Sequence, residues 1–224
     1  MYRVGIIGLG RIACELPDNH YLAYHNNPET ALLCLCDNKK DLISEWGKWN
    51  LSLWNDYLGM VKKWSLDIVS VCTPPETHRE IVCNIAPYVK AIYCEKPIAE
   101  TLGDADEMIR ICHENNVILQ INHQRNFLPV DVYFSRGCLN TGTHMYALID
   151  HFLKNDTKVN IHYIEGDEHV FQLELAHNGE MMIPLGVEHL VDCIKNKRES
   201  IVSGEKGYEA LKMSLYLKEK MGYP

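Results

Sequence analysis

The 224-residue sequence has no uninterrupted apolar run of the ~20 residues that a membrane-spanning helix needs. Its first apolar stretch begins at Val4 and is broken at Gly8 and Gly10, which argues against a signal peptide. A basic excess is also missing. The 22 Lys and Arg are outnumbered by 30 Asp and Glu, for a net charge of −8, and this excludes a nucleic-acid footprint or an anionic membrane surface as partner. The nine cysteines are an odd number, and they stand singly or as Cys34-Leu35-Cys36, without zinc-knuckle spacing. They read as reduced thiols of a cytoplasmic protein. No Walker loop and no serine nucleophile elbow is present. His162, His169 and His177 lack cysteine or carboxylate partners at ligand spacing, so no metal is expected. Repeats and low-complexity tracts are absent.

What is there alternates between strand and helix. Tyr2–Ile7, Ala31–Cys36, Asp67–Cys72, Ala91–Cys94 and Val117–Asn122 read as short buried strands. Helices are expected after Gly8 through about Asn26 and at Asp41–Trp49, Glu76–Ala86 and Gly103–Asn115, with a short element at Trp54 and Tyr57–Lys63. Strands joined by helix-length crossovers predict an α/β fold with a doubly covered parallel sheet over residues 1–122. The grammar then changes. Thr143–Leu153 reads as a helix. Val159–Ile164, Val170–Ala176 and Met181–Leu185 read as neighbouring antiparallel strands, with a hairpin signal at Asn178-Gly179, and helices follow at Val187–Lys195 and Lys206–Lys220. Residues 123–224 are therefore expected to form a reduced α+β domain on a small antiparallel sheet.

The first strand runs into Gly8-Leu9-Gly10-Arg11-Ile12-Ala13, a G-x-G-x-x-A loop. Gly8 permits a tight turn, Gly10 lets a pyrophosphate approach the backbone, and Ala13 lets the helix pack on the strand. Free amides at the helix start then face the diphosphate. The second strand ends in Asp37, where a carboxylate meets the adenosine ribose hydroxyls and repels a 2′-phosphate. This favours NAD, while Lys39 and Lys40 keep NADP open. Trp46, Trp49, Trp54 and Trp64 read as core packing rather than as an adenine platform.

Three further segments, Asp67-Ile-Val-Ser-Val-Cys-Thr73-Pro74-Pro75-Glu76-Thr77-His78, Glu95-Lys96-Pro97-Ile98-Ala99 and Leu185–Leu211, resemble those of the glucose–fructose oxidoreductase/inositol dehydrogenase (Gfo/Idh/MocA) family. The resemblance implies a Rossmann NAD(P) domain followed by an α+β domain used for oligomer contact. It also implies hydride transfer between nicotinamide and a sugar, cyclitol or nucleotide-sugar carbon. Carried over by residue, it places Gly8, Gly10, Arg11 and Ile12 at the diphosphate and Asp37 at the ribose. Thr73, Pro74 and His78 border the cofactor, and Glu95, Lys96 and Pro97 sit beside the nicotinamide ribose, with Lys96 reaching the substrate oxygen. Asn122 and Arg125 fall at the substrate mouth.

The same resemblance makes His144 the general acid/base, with Lys96 polarising the oxygen. The family's Asp-x-Gly-x-His-x-x-Asp pattern departs here to Asn140-Thr141-Gly142-Thr143-His144-Met145-Tyr146-Ala147, so both aspartates are replaced. Asn140 can hold the ring by hydrogen bond but cannot stabilise an imidazolium by charge. The segment between Phe127-Leu128-Pro129 and Gly142 is short, so sheet strands that wall the family's substrate pocket are expected to be missing, leaving the pocket either more open or completed by another subunit of a homo-oligomer. The alternative is a catalytically impaired NAD(P)-binding sensor or partner subunit.

Overall fold

A computed structural model describes residues 1–39, 51–123, 130–135, 159–164, 171–175 and 182–221. The chain divides into two compact units, one of Met1–His123 with Ile183–Pro224, the other of Gln124–Met182.

The first unit is built on six parallel strands: β1 (Tyr2–Ile7), β2 (Thr30–Cys36), β3 (Ser52–Trp54), β4 (Ile68–Val71), β5 (Ala91–Cys94) and β6 (Ile118–Ile121). Their order is β3-β2-β1-β4-β5-β6. Side chains alternate between two cores, as a strand's period of two requires. Val4, Ile6, Leu35, Ile68 and Tyr93 pack on one face against α1 (His20–Asn26) and α5 (Met182–Asn196), which contribute Tyr21, Tyr24, Val187 and Leu190. Ile7, Cys36, Val69, Ile92 and Cys94 face the other side. There they meet α2 (Tyr57–Trp64), α3 (His78–Ile85), α4 (Leu102–Glu114) and α6 (Gly204–Met221), through Met60, Val82, Met108 and Leu211. The eight described cysteines are all free thiols, and burial raises those of Cys34, Cys36 and Cys112 to about 12. They pack as small apolar groups.

The sequence reading needs four corrections. The long helix expected after the glycine loop is one wide turn, Arg11–Glu15, followed by a break and then α1. Pro17 has no N–H to continue the first turn, and Asn19 starts a new helix by accepting from Leu22 N at 2.7 Å. Residues 183–185, expected in a strand, open α5; Ile183, Val187, Leu190 and Val191 form its buried face, and Pro184 is tolerated in a first turn. The second unit's sheet is mixed rather than antiparallel. Val130–Ser135 (β7), not recognised as a strand in the sequence, is central; it pairs in parallel with Val159–Ile164 (β8) and antiparallel with Phe171–Leu175 (β9). A long connection between β7 and β8 allows the parallel crossover. Finally, residues 123–224 are not one domain, because α5 and α6 return to the first unit. There Asp18 Oδ1 accepts from Ile183 N at 3.1 Å, and Ile121 N donates to Val202 O at 2.8 Å. The helices expected at 41–49 and 143–153 and the turn at 178–179 lie outside the described residues.

Candidate functional site

The strand order reverses between β1 and β4, and at their carboxyl ends the two following loops touch. Gly8 has φ +88°, and a Cβ there would lie 2.8 Å from the Cys72 backbone and 2.9 Å from Thr73 Cγ2. Both the backbone angle and the close approach therefore demand glycine. Gly10 is different: a Cβ added to it meets nothing within 4 Å among the described residues. Its missing side chain leaves open space over the loop, which suits the approach of a diphosphate. The first turn's hydrogen bonds begin with Ala13 and Cys14 donating to Gly10 O at 3.0 and 3.2 Å. The amides of Gly10, Arg11 and Ile12 precede that ladder and are the natural anion donors. With only one turn behind them, the amides themselves matter more than a helix dipole.

Asp37 closes this loop. Its Oδ2 accepts from Leu9 N and its Oδ1 from Lys39 N, both at 2.8 Å. The carboxylate assigned to the ribose thus stands at the mouth of the glycine loop and braces it. Thr73 is half-buried, and its hydroxyl accepts from Thr77 at 2.7 Å; Pro74 is exposed beside it. His78 is fully buried. Its Nε2 lies 2.8 Å from Thr73 O and its Nδ1 3.1 Å from Pro97 O, so it clasps the loop after β4 to the loop after β5. It supports the site from beneath and does not line it.

Glu95 follows β5 and is 7% exposed. Its Oε1 accepts from His20 Nε2 at 3.0 Å and from Asn122 Nδ2 at 2.5 Å, and its Oε2 from Lys96 N at 3.3 Å. Burial pushes this carboxyl up. The hydrogen bond and electrostatic pull of His20, with Asn122 and the Lys96 amide, outweigh that and hold it below the ordinary value. Ser70, His20 and Glu95 line up like a serine–histidine–carboxylate triad, yet Ser70 is fully buried and bonded to Tyr24, so no substrate carbonyl reaches it. Lys96 and Pro97 are exposed, joined by a cis peptide, and Lys96 forms no ion pair among the described residues.

Parallel pairing aligns Cys94 with Ile121, and Asn122 N extends the ladder by donating to Cys94 O at 2.8 Å. Asn122 is therefore a core residue here, expected at the substrate mouth but bound by Glu95 and by Tyr93 Oη at 2.7 Å. The next residue, His123, was passed over in the sequence. Its Nε2 is buried and has no hydrogen-bond partner among the described residues; burial lowers its pKa, Glu95 raises it and Lys96 lowers it. Tyr24, Ser70, His20 and Tyr93 were also missed; each looks like an ordinary core residue, and only the fold brings them together. His144, Arg125 and Asn140 lie outside the described residues. A cavity of about 630 Å³ opens at the other end of the sheet, by Lys90, Asn116, Ile118 and Gly204, far from this chemistry. Among its lining residues Lys90 pairs with Asp67 and His113 lies against Glu205.

A parallel α/β sheet with a glycine loop at its switch point, faced by a carboxylate from the next strand, defines a dinucleotide-binding fold. Residues 2–123 match the Gfo/Idh/MocA family, described as an oxidoreductase family with an NAD-binding Rossmann fold, and the chain belongs to it. An uncharacterised oxidoreductase of Streptococcus pneumoniae is 32% identical over 69% of this chain and 41% of its own length. The myo-inositol 2-dehydrogenase of Thermotoga maritima is 31% identical over 56% of this chain and 37% of its own. The chain thus spans about two-fifths of these curated relatives. An oxidoreductase from Agrobacterium radiobacter, solved with NAD+, L-tartaric acid and magnesium, shares the fold. The two align with a TM-score of 0.65 and 13% identity over 94% of this chain and 93% of that one. No helix among the described residues is long and apolar enough to cross a membrane.

Proposed function

We propose that the chain binds NAD and takes part in hydride transfer between nicotinamide and a sugar, cyclitol or nucleotide-sugar carbon bearing an alcohol or ketone. One observation carries this reading: the Gly8–Gly10 loop abuts Thr73 at the switch point, while Lys96 stands exposed two residues beyond β5 on the same edge. Gly8, Gly10, Arg11 and Ile12 hold the diphosphate, and Asp37 selects NAD over NADP by repelling a 2′-phosphate. Thr73, Pro74, Glu95, Lys96 and Pro97 border the nicotinamide half, with His78 behind them. Lys96 stabilises developing alkoxide charge, and His144 exchanges the hydroxyl proton. Arg125 and Asn140 belong to the substrate side in this reading. The inositol dehydrogenase relative and the tartrate bound in the fold neighbour support a polyhydroxylated small molecule. We also place the chain in the cytoplasm, in agreement with the eight free thiols among the described residues, and in a homo-oligomer that completes the substrate pocket.

The replacement of both family aspartates, by Asn140 and Ala147, favours a second reading, an NAD-binding sensor or partner subunit without turnover. Absorbance of reduced nicotinamide, followed with NAD+ or NADP+ over a panel of sugars, cyclitols and sugar nucleotides, separates the two. The enzyme reading expects turnover that falls about 100-fold or more in Lys96→Ala with NAD+ affinity kept. Tight NAD+ binding with no turnover across the panel supports the sensor. Calorimetry that registers no heat with either dinucleotide overturns both.

A further inference from the structure

A chain of buried hydrogen bonds runs under the Lys96 turn, and dinucleotide binding does not by itself account for it. Tyr24 Oη lies 2.9 Å from Ser70 Oγ, Ser70 Oγ 3.0 Å from His20 Nδ1, and His20 Nε2 3.0 Å from Glu95 Oε1. From the other side Tyr93 Oη donates to Asn122 Oδ1, which turns the Asn122 NH2 toward the same Glu95 oxygen. Tyr24, Ser70, His20 and Tyr93 are fully buried, and Asn122 is 2% exposed. A carboxylate only accepts, so the proton must sit on His20 Nε2. Nδ1 and Tyr24 Oη hold the Ser70 hydroxyl between them. His20 Nε2–H and the Asn122 NH2 thus both donate to Glu95 Oε1, and the second carboxylate oxygen holds the Lys96 N–H.

We propose that His20 is a positioning residue for the Lys96 site: its Nε2–H keeps the Glu95 carboxylate charged and oriented, and Glu95 fixes the Lys96–Pro97 turn through the Lys96 amide. The proposal rests on the dinucleotide reading only in giving that turn a role. Around Glu95, the groups that face or influence it are His20 from α1, Cys72 after β4, Tyr93 and Cys94 of β5, and Lys96, Asn122 and His123 at the carboxyl edge. The cysteines and Tyr93 are neutral at physiological pH, being pushed up by burial, so His20, Asn122 and the Lys96 amide are left to offset the cost of burying the charge. Without His20, burial drives Glu95 toward the protonated form, and the acceptor beneath Lys96 weakens.

The test uses NMR of the whole chain, following the Glu95 carboxyl carbon and the Lys96 amide from about pH 5 to 8, the range a desolvated carboxyl reaches. In the native protein both are expected to stay flat. In His20→Leu both are expected to titrate together within the range. His20→Gln, whose amide nitrogen replaces Nε2, is expected to flatten them again. If His20→Leu does not fold, Ser70→Ala keeps the ring but frees Nδ1 and is expected to show the same movement at smaller amplitude. A merely structural role for His20 lowers stability without moving these signals. Flat signals in the folded leucine variant, or in Ser70→Ala where that variant is used, overturn the proposal, as does a glutamine variant that titrates like leucine. NAD+ calorimetry on the native protein runs alongside. Absence of heat there defeats the dinucleotide reading alone, while flat variant spectra with normal NAD+ binding defeat the positioning role alone.

Discussion

Two glycines of one loop do different jobs, and the same substitution separates them. Gly8→Ala places a side chain at φ +88° and against the Cys72 backbone, neither of which can yield cheaply. It is expected to cost at least about 2 kcal/mol in urea unfolding, enough to lower Tm by about 4–8 °C in a chain of this size. Gly10→Ala meets open space. It is expected to leave stability within about 0.5 kcal/mol while weakening NAD+ about tenfold or more in calorimetry, a loss of about 1.4 kcal/mol. Equal effects in the two variants would remove the case for a diphosphate over Gly10. Both glycines were legible in the sequence, because a tight turn after a strand depends on local backbone geometry. Asp37 was legible as the residue that ends the second strand, though its bracing of Leu9 was not. His78 was legible as a motif residue but misread in role: spacing cannot tell a side chain that lines a crevice from one that ties two loops beneath it.

At the scale of elements, α6 lies on β6 through glycines. A Cβ at Gly207 would stand 2.7 Å from Ile121 Cγ1 and 3.3 Å from Ile98 Cβ. Gly207→Ala is therefore expected to destabilise by about 1–3 kcal/mol through overpacking. Gly103, in the first turn of α4, has only Thr101 Oγ1 at 3.9 Å. There the alanine reduces the freedom of the unfolded chain and is expected to stabilise by about 0.4–1 kcal/mol. Denaturation midpoints of the two variants, moving in opposite directions, check the packing of α6. Five strands of the first unit were readable because each reads as a buried apolar run, whereas Ser52–Trp54 is half-buried and too short to stand out. Residues 183–185 were misread because so short an apolar run fits strand and helix alike. The break at Pro17 was missed because helix-like residues stand on both sides of it.

For the whole molecule, pH reports on the buried charge. Glu95 has a folded pKa below its ordinary value of 4.5. Its contribution to stability is therefore present above that value and is lost as pH falls through the folded one. His123, lowered from 6.5 chiefly by burial, acts in the same direction, its contribution fading as pH falls below that value. The urea midpoint is expected to decline from pH 7 to pH 4, with a shallower slope in Glu95→Gln. A slope unchanged by that substitution would place the acid sensitivity elsewhere. Ligand linkage offers a second whole-molecule check. NAD+ at 100 times its Kd is expected to add about 2.7 kcal/mol of stability, with Tm rising as its concentration rises.

The sequence by itself determined five of the six Rossmann strands, the glycine turn, the carboxylate after β2 and the Glu95-Lys96-Pro97 segment after β5. Each of these depends on residues close together in the chain, where backbone conformation and periodicity act. Tertiary structure alone decided that His20 meets Glu95 across 75 positions, that α5 and α6 return to the first sheet, and that β7 takes the centre of the second. Those outcomes follow from burying apolar faces and pairing polar groups at a distance, where many partners share the same local pattern and only packing selects among them.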